Sequence, residues 1–412
     1  MDYELVKPVV LVLSTGQVHK EQTHYSAGQE QADMTFDFDK VIDRQDTDSL
    51  KWGRYKSTGV LPMWVADMDF QSPPPILEAL HRRVEHGIFG YARPSEELVQ
   101  VVIGRMEQKY QWRVEPEWLV WLPGLVPALH VACRAFGEDG DEVLTFTPVY
   151  PPFLTAPPAS RKKLTIIPLR REQNSYTFDV EGLERAISSR SRVLLLCNPH
   201  NPVGRRYERE ELQRVADLCV AHDIILCSDE IHCDLILDGG QHIPTATLGD
   251  EIADRTITLM APSKTFNIPG LNCAFAIIPN EDLRTKFKRA REGIVPGTNV
   301  LGYAACLAAY RDCEPWRRAL IDYLRGNEDI VYRFINEQIP PLSMDKVQAT
   351  YLAWIDATGL GLAHPRRFFE EAGVALYDGR HFQGEGFVRL NFGCPRKTLL
   401  EGLERLRRAV MK

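Results

Sequence analysis

The sequence predicts an α/β fold with a large domain, in which helices cover both faces of a mostly parallel sheet, and a smaller α+β domain. Three features support this prediction. From about residue 72, candidate helices and strands alternate along the chain. The candidate strands are short apolar runs without polar–apolar alternation, which is typical of parallel sheets buried on both faces. After about residue 297 the pattern changes to long helical stretches, two strand-like runs and a final helix.

The first candidate helix follows Ser72, which can cap it, and carries prolines in its first turn, while Gly87 fits its end. Further helices are predicted at about 95–110, 125–137, 179–189 and 207–222. Strands are predicted at about 142–146, 164–168, 193–197, 224–227, 256–260 and 274–278. Helical stretches then continue to about 337, and strand-like runs at 351–355 and 386–392 precede a helix at about 395–410.

We expect four segments along the 412 residues, 44% of which are apolar and sufficient for a large core. Residues 1–35 are polar without a sustained period and are predicted to be an N-terminal extension, either an arm or a disordered segment. Residues 36–62 are predicted to associate with the small domain. Residues 63–296 form the large domain of this prediction, and residues 297–412 form the small C-terminal domain.

The composition argues against several classes of protein. The net charge is 49 − 56 = −7, and no cluster of lysine and arginine offers a face for nucleic acid. The longest early apolar stretch, Val9–Leu13, is too short for a signal peptide or a membrane span. The nine cysteines form no Cys-x-x-Cys pair, which favours free thiols in a reducing compartment over disulfides or structural zinc. We therefore expect a soluble cytoplasmic protein that binds neither nucleic acid nor a membrane.

Lys264 and Asp229 are the candidate residues with the clearest chemistry. Lys264 follows the apolar run Thr256–Met260, and Asp229 follows a second apolar run at 224–227. Both would lie at the carboxyl ends of parallel strands, where ligands bind in such sheets. A lysine amine can bond covalently to the aldehyde of pyridoxal 5′-phosphate (PLP), and a carboxylate can hold a proton on its pyridine nitrogen. The alternatives are a solvated surface lysine and a carboxylate that caps a helix.

Other candidate binding residues follow further strands. Asn201 lies in a turn with two Asn-Pro steps, and its amide can bond the phenolic oxygen of the cofactor. Tyr150 ends another strand and can stack on a planar ring, although a tyrosine at the edge of the core is the simpler interpretation. Arg389 lies inside a strand of the small domain, where a guanidinium needs an anion such as a substrate carboxylate.

A phosphate site is predicted at the start of the helix at 125–137, since backbone N–H groups there can bind an anion without a glycine-rich motif. Ser263, next to Lys264, can donate to the same phosphate. His232 would share the face of Asp229 on a turn, either beside the cofactor or as a partly buried, hydrogen-bonded histidine. The sequence contains no P-loop, no G-x-G-x-x-G motif and no metal-ligand spacing.

In this order, these pieces resemble the fold-type I PLP enzymes of the class I/II aminotransferase family over about residues 36–410. The resemblance is closest to the MalY/PatB branch, the cystathionine β-lyase-like carbon–sulfur lyases. The stretches that carry it are FD at 36–37, IDR at 42–44, KW at 51–52, LPMWVADMDF at 61–70, FGY at 89–91, DEIH at 229–232, SKTFN at 263–267 and FVRLNFG at 387–393.

The resemblance implies a role for each candidate residue. The cofactor-binding residues would be Lys264 at the aldehyde, Asp229 at the pyridine nitrogen, Asn201 at O3′, Tyr150 on the ring, His232 beside it, and the N–H groups of Leu125 and Val126 with Ser263 at the phosphate. Tyr91 would reach the phosphate of a neighbouring subunit, which implies a homodimer with shared active sites. Arg389 would bind the α-carboxylate of a small amino-acid substrate, assisted by the backbone near Ala66.

The implied function is a PLP-dependent β-lyase that cleaves L-cystathionine or another cysteine S-conjugate to a thiol, pyruvate and ammonia by α,β-elimination. Lys264 would remove the Cα proton, and Lys264 or Tyr91 would protonate the leaving thiolate. An aminotransferase of a small amino acid and a PLP-binding regulatory protein that acts through protein–protein contact remain alternatives. His232 and Asn272 stand where aspartate aminotransferases have tyrosine and arginine, which favours the lyase branch.

Overall fold

The structure is a computed structural model that describes residues 36–172 and 175–411. At its centre lies a seven-stranded sheet. Its strands lie in the order β2-β10-β9-β8-β7-β3-β4, and only β10 runs antiparallel to its neighbours. The strands of the described residues are β1 (Leu61–Pro62), β2 (Leu119–Leu122), β3 (Glu142–Thr147), β4 (Lys163–Pro168), β5 (Arg170–Glu172), β6 (Ser175–Thr177), β7 (Ser191–Cys197), β8 (Ile225–Asp229), β9 (Thr256–Met260), β10 (Ala274–Ile277), β11 (Ser343–Met344), β12 (Leu352–Asp356), β13 (Val374–Ala375), β14 (Tyr377–Asp378) and β15 (Phe387–Asn391). The mostly parallel sheet that the sequence predicts is therefore confirmed.

Helices cover both faces of this sheet. The helices are α1 (Leu50–Gly53), α2 (Pro74–His86), α3 (Glu96–Tyr110), α4 (Leu125–Ala135), α5 (Pro151–Ala159), α6 (Val180–Ala186), α7 (Arg209–Ala221), α8 (Asp250–Ala253), α9 (Glu281–Arg291), α10 (Val300–Asp312), α11 (Glu314–Gln338), α12 (Pro365–Glu371) and α13 (Arg396–Val410). Successive residues of β7 enter different core clusters, because side chains alternate across a strand. Val193 and Leu195 pack in the cluster that includes α4 residues, and Leu194 and Leu196 pack with α7 residues. Burial on both faces explains why these strands read as continuous apolar runs.

The start of α2 differs from the prediction. The helix begins at Pro74 without a side-chain cap, and Ser72 Oγ instead donates to the carbonyl of Asn267 at 3.2 Å. Pro74 has no N–H to be capped, and the N–H of Ile76 already donates to the carbonyl of Pro73, so the prediction of a Ser72 cap was wrong. Gly87 ends the helix in the left-handed conformation, with φ of 76°, as expected.

A second sheet, of four antiparallel strands, has the order β11-β12-β15-β14. It lies in the C-terminal part of the chain, where α13 packs against the long helix α11. The short strand β1 pairs in parallel with β13, so residues 61 and 62 join this part of the molecule. The predicted domain boundaries stay predictions, and the predicted extension at 1–35 lies outside the described residues.

Candidate active site

The carboxyl ends of four neighbouring strands open onto one cavity of about 450 Å³. The strands are β3, β7, β8 and β9, which lie side by side and run parallel. Nine of the eleven residues predicted for the site line this cavity: Ala66, Leu125, Val126, Tyr150, Asn201, Asp229, His232, Ser263 and Lys264. The volume falls in the range of sites that hold small molecules.

Lys264 lies in the turn that follows β9. Its Nζ donates a hydrogen bond to the carbonyl of Ala66 at 2.7 Å. Burial of the amine, helped by the positive charge of Arg389, lowers the pKa of Lys264 to about 8, while Asp67 and Asp229 oppose the shift. About a tenth of this amine is therefore unprotonated at pH 7, far more than for an ordinary lysine, which suits a nucleophile or a base.

Asp229 is the last residue of β8 and is buried. Burial raises the pKa of its carboxyl group to about 7, against the lowering effects of the Ile231 N–H and Lys264. The N–H of Ile231 donates to Asp229 Oδ1 at 3.1 Å. A positive group next to this carboxylate would favour its ionised form, so Asp229 is matched to a cationic partner such as a protonated pyridine nitrogen.

Arg389 and Asn201 join the two sheets at the cavity. Arg389, in β15, is 1% exposed, and its Nη1 donates to Asn201 Oδ1 at 2.8 Å. Its Nη2 donates to the carbonyl of Trp64 at 3.0 Å, and its Nε has no hydrogen-bond partner among the described residues. Burial lowers the pKa of Arg389 to about 10. A buried guanidinium with a free N–H and no carboxylate partner in the described chain is suited to bind an anion.

His232 is buried beside this cluster. Burial, with the positive charges of Lys264 and Arg389, lowers the pKa of His232 to about 3, so the imidazole is neutral at physiological pH. Its ring lies at 6.2 Å from that of Tyr351 in an edge-to-face arrangement, and its Nδ1 has no partner among the described residues. The cofactor-side role of His232 stays a prediction that this geometry permits.

The start of α4 faces the cavity where the sequence predicts a phosphate site. Gly124 precedes the helix without a side-chain cap, so the first N–H groups, including those of Leu125 and Val126, are not occupied by a capping side chain. Ser263 and Asn272 line the same cavity. Backbone donors at a helix start, a hydroxyl and an amide are donors suited to a phosphate group.

These donors and charges match PLP group by group: an amine for the aldehyde, a carboxylate for the ring nitrogen and N–H groups for the phosphate. The family model described as aminotransferase class I and II matches residues 59–406. The chain belongs to this family. Relatives of this chain include a cystathionine β-lyase and an aspartate aminotransferase, so the family alone does not fix the reaction.

Among relatives in the aminotransferase class I and II family, cystathionine β-lyase PatB of Bacillus subtilis is 41% identical over 385 residues, which cover 90% of this chain and 99% of PatB. The crystal structure of OvoB is similar with a TM-score of 0.89 and 48% identity, covering 92% of this chain and 100% of OvoB. Cystalysin from Treponema denticola, whose crystal structure contains pyridoxal 5′-phosphate, has a TM-score of 0.89 and 36% identity, covering 92% of this chain and 99% of cystalysin.

Two of the eleven predicted residues, Tyr91 and Arg389, do not line the cavity, although Arg389 is hydrogen-bonded to the lining residue Asn201. Tyr91 follows α2 in an irregular segment and is fully exposed. Ile88 and Phe89 beside it are also exposed, at 65% and 56%. The role of Tyr91 in a neighbouring subunit therefore stays a prediction.

Sequence reasoning did not assign three side chains that hold the segment around Ala66. Asn391 Nδ2 donates to the carbonyls of Val65 and Asp67, and the Tyr351 hydroxyl donates to the carbonyl of Ala66 at 2.9 Å. The amide of Asn267 bonds both the N–H and the carbonyl of Met68. The available signal was a polar asparagine inside an otherwise apolar strand, FVRLNF, since such a residue needs buried partners.

Within 36–172 and 175–411, no group of histidine, cysteine, aspartate or glutamate is arranged to hold a metal ion. In the same part of the chain, no helix combines the length and apolar character needed to cross a membrane.

Proposed function

We propose that this chain is a PLP-dependent carbon–sulfur β-lyase that converts L-cystathionine or another cysteine S-conjugate, with water, to a thiol, pyruvate and ammonia. The observation that carries the proposal is the pair Lys264 and Asp229, which face one cavity from the ends of adjacent strands with strongly shifted pKa values. The identity to cystathionine β-lyase PatB along 90% of the chain supports lyase chemistry.

Each part of the cofactor has residues that would hold it. The amine of Lys264 would bond the aldehyde, and Asp229 would face the pyridine nitrogen. Asn201 offers Nδ2 to O3′, because its Oδ1 already accepts from Arg389. The N–H groups of Leu125 and Val126 and the Ser263 hydroxyl would bind the cofactor phosphate. Tyr150 would stack on the ring, and His232 would lie beside it. When bound, PLP supplies an electron sink that stabilises negative charge at the substrate Cα.

Lys264 is the base in this proposal. With a substrate bound, the Lys264 amine would be free to remove the Cα proton. A pKa near 8 gives Lys264 enough unprotonated amine at neutral pH while leaving it basic enough to accept that proton. The carbonyl of Ala66 fixes the direction of Nζ at 2.7 Å. Loss of the β-thiolate follows, and Lys264 or Tyr91 supplies the proton for the leaving sulfur.

Arg389 orients the substrate. Its buried fork binds the α-carboxylate by charge-assisted hydrogen bonds, with the backbone near Ala66 assisting. Asn201 and the Trp64 carbonyl hold the guanidinium from the other side, at 2.8 and 3.0 Å. Both groups accept hydrogen bonds without carrying a full charge, so the net charge of Arg389 remains for the substrate.

The active unit in this proposal is a homodimer, with Tyr91 of one subunit at the phosphate of the other. The exposed side chains of Ile88, Phe89 and Tyr91 in the single chain support this assignment. All nine cysteines are free and buried, which supports a reducing, cytoplasmic location for the enzyme.

Aminotransferase activity is the competing reaction, since the same residues serve both reactions up to Cα proton removal. The deciding experiment incubates the purified PLP-loaded protein with L-cystathionine and with a panel of amino acids, and measures thiol, pyruvate and keto-acid products in parallel. We expect equal amounts of thiol and pyruvate from cystathionine without added keto acid. A strict requirement for a keto acid would contradict the lyase proposal, and the Lys264→Ala protein is the matched negative control.

A further inference from the structure

A second, smaller cavity of about 120 Å³ adjoins the surroundings of Arg389. Trp64 and Tyr377 take part in both places. The carbonyl of Trp64 accepts from Arg389 Nη2, and Arg389 Cζ lies 4.9 Å from the centroid of the Tyr377 ring. The side chains of both residues also line the small cavity, together with Arg54, Arg366 and His381. Trp64 and Tyr377 therefore form a wall that the small cavity shares with the surroundings of Arg389.

Arg54 gives the small cavity an uncommitted positive charge. Its guanidinium lies over the Trp64 ring at 5.2 Å and over the Tyr55 ring at 5.7 Å. Within residues 36–172 and 175–411 it has no carboxylate partner. The neighbouring Arg366 differs, because it is ion-paired with Glu370 one helical turn away.

The acidic residue that lines the cavity does not cancel this charge. Asp378 is bound by Arg380 at 2.6 Å, and that ion pair is local to residues 378–380. Among the described residues the Arg54 guanidinium has ring contacts but no ion pair, and its backbone N–H ends α1 by donating to the Trp52 carbonyl. The side chain is exposed and rests on an aromatic face that orients it.

We propose that the small cavity is the subsite for the leaving half of the substrate and that Arg54 binds a distal carboxylate on that half. This inference rests on the proposed lyase function. The Trp64 and Tyr377 rings pack against the thioether, and the Arg54 fork pairs with the distal carboxylate. Arg389 bonds the carbonyl of Trp64, and Arg54 lies over its ring. Together the two guanidinium groups then select dicarboxylic cysteine S-conjugates, the class to which cystathionine belongs.

The test compares two substrates of nearly equal size, S-carboxyethyl-L-cysteine and S-propyl-L-cysteine, which differ in the distal charge. For Arg54→Gln we expect KM for the carboxylated substrate to rise roughly five- to tenfold, as for a partly solvated charge-assisted pair, and KM for the neutral one to stay within about twofold. Added salt should raise KM only for the carboxylated substrate. Arg367→Gln is the matched control, because Arg367 is an exposed guanidinium on α12, paired with Glu371, and is not among the described lining residues.

A binding measurement separates this subsite from the reaction itself. In the PLP-supplied Lys264→Ala protein, where turnover is removed, titration calorimetry measures the affinity for each of the two compounds. We expect the same preference for the carboxylated compound as in the KM values, without product formation. A preference for the carboxylated compound that disappears with Arg54→Gln supports the subsite even if the wild type makes no pyruvate. If Arg54→Gln lowered the affinity for both compounds equally, or for neither, the proposed subsite would be overturned, whichever reaction the protein catalyses.

Discussion

Replacing Asp229 with Asn is expected to stabilise the cofactor-free protein while weakening its hold on PLP. Burial raises the pKa of Asp229 from its ordinary value of 3.8 to about 7. The interval of about three pH units corresponds to roughly 4 kcal/mol, at about 1.4 kcal/mol per unit. Because the folded-state pKa is the higher one, this penalty is absent below pH 3.8, grows as pH rises, and is complete above about pH 7.

The net gain is smaller than this penalty. An asparagine at 229 can still accept from the N–H of Ile231, which lies 3.1 Å from Oδ1, but its buried amide group would lack a partner and costs about 1–3 kcal/mol. We therefore expect Asp229→Asn to raise the free energy of unfolding by roughly 1–3 kcal/mol at pH 8. About 1 kcal/mol of that gain should disappear at pH 6, where Asp229 is mostly protonated in the folded protein.

Urea unfolding of the cofactor-free proteins at pH 8 and pH 6 measures both effects. Asp322→Asn is the control, because that side chain is 74% exposed and its replacement should change stability by less than about 0.5 kcal/mol at either pH. A less stable Asp229→Asn protein at pH 8, or a pH-independent difference, would refute the electrostatic reasoning. Unchanged affinity for PLP would refute the role of Asp229 at the pyridine nitrogen.

Three further substitutions test separate parts of the account. Lys264→Ala should lower turnover by at least about 10²-fold and abolish the absorbance of the covalently bound cofactor, with an unchanged circular dichroism spectrum; full lyase activity would contradict the assignment. Arg389→Ala should raise KM by roughly 10²-fold, because about two charge-assisted hydrogen bonds to the α-carboxylate are lost, and an unchanged KM would remove Arg389 from the carboxylate site. Glu230→Ala should lower the free energy of unfolding by roughly 3–5 kcal/mol, as measured by urea unfolding. The reason is that the buried Glu230 carboxylate is hydrogen-bonded to His242 Nε2 at 2.7 Å and to the Thr245 N–H at 3.0 Å. A decrease below about 1 kcal/mol would show that water replaces the carboxylate.

The large sheet was predictable because its chemistry is local. The strands that carry Asp229 and Lys264 are mostly apolar runs, and the polar residues that follow such runs mark the edge where ligands bind. Asp229 and Lys264 could be placed from this rule alone, and they line one cavity because β8 and β9 are neighbours. The Ser72 cap failed for an equally local reason, since the prolines after it remove the N–H groups that a cap would bond.

Contacts between distant parts of the chain could not be predicted in this way. Arg389 is hydrogen-bonded to Asn201 across 188 positions of sequence, and Lys264 is bonded to Ala66 across 198. No periodicity or turn signal encodes such pairs, because they depend on how the two sheets pack. Sequence reasoning also gave no role to Arg54, whose guanidinium lies over the Trp64 ring.

The most direct test of the central claim is to reduce the PLP-loaded protein with borohydride, digest it and identify the modified peptide by mass spectrometry. The account predicts one phosphopyridoxyl group per chain, on Lys264. Lys51 is the informative alternative, because it is also a buried lysine but is ion-paired with Asp69 at 2.7 Å. Modification of Lys51 or of any lysine other than Lys264, or a protein that stays colourless and unmodified with PLP supplied, would contradict the account.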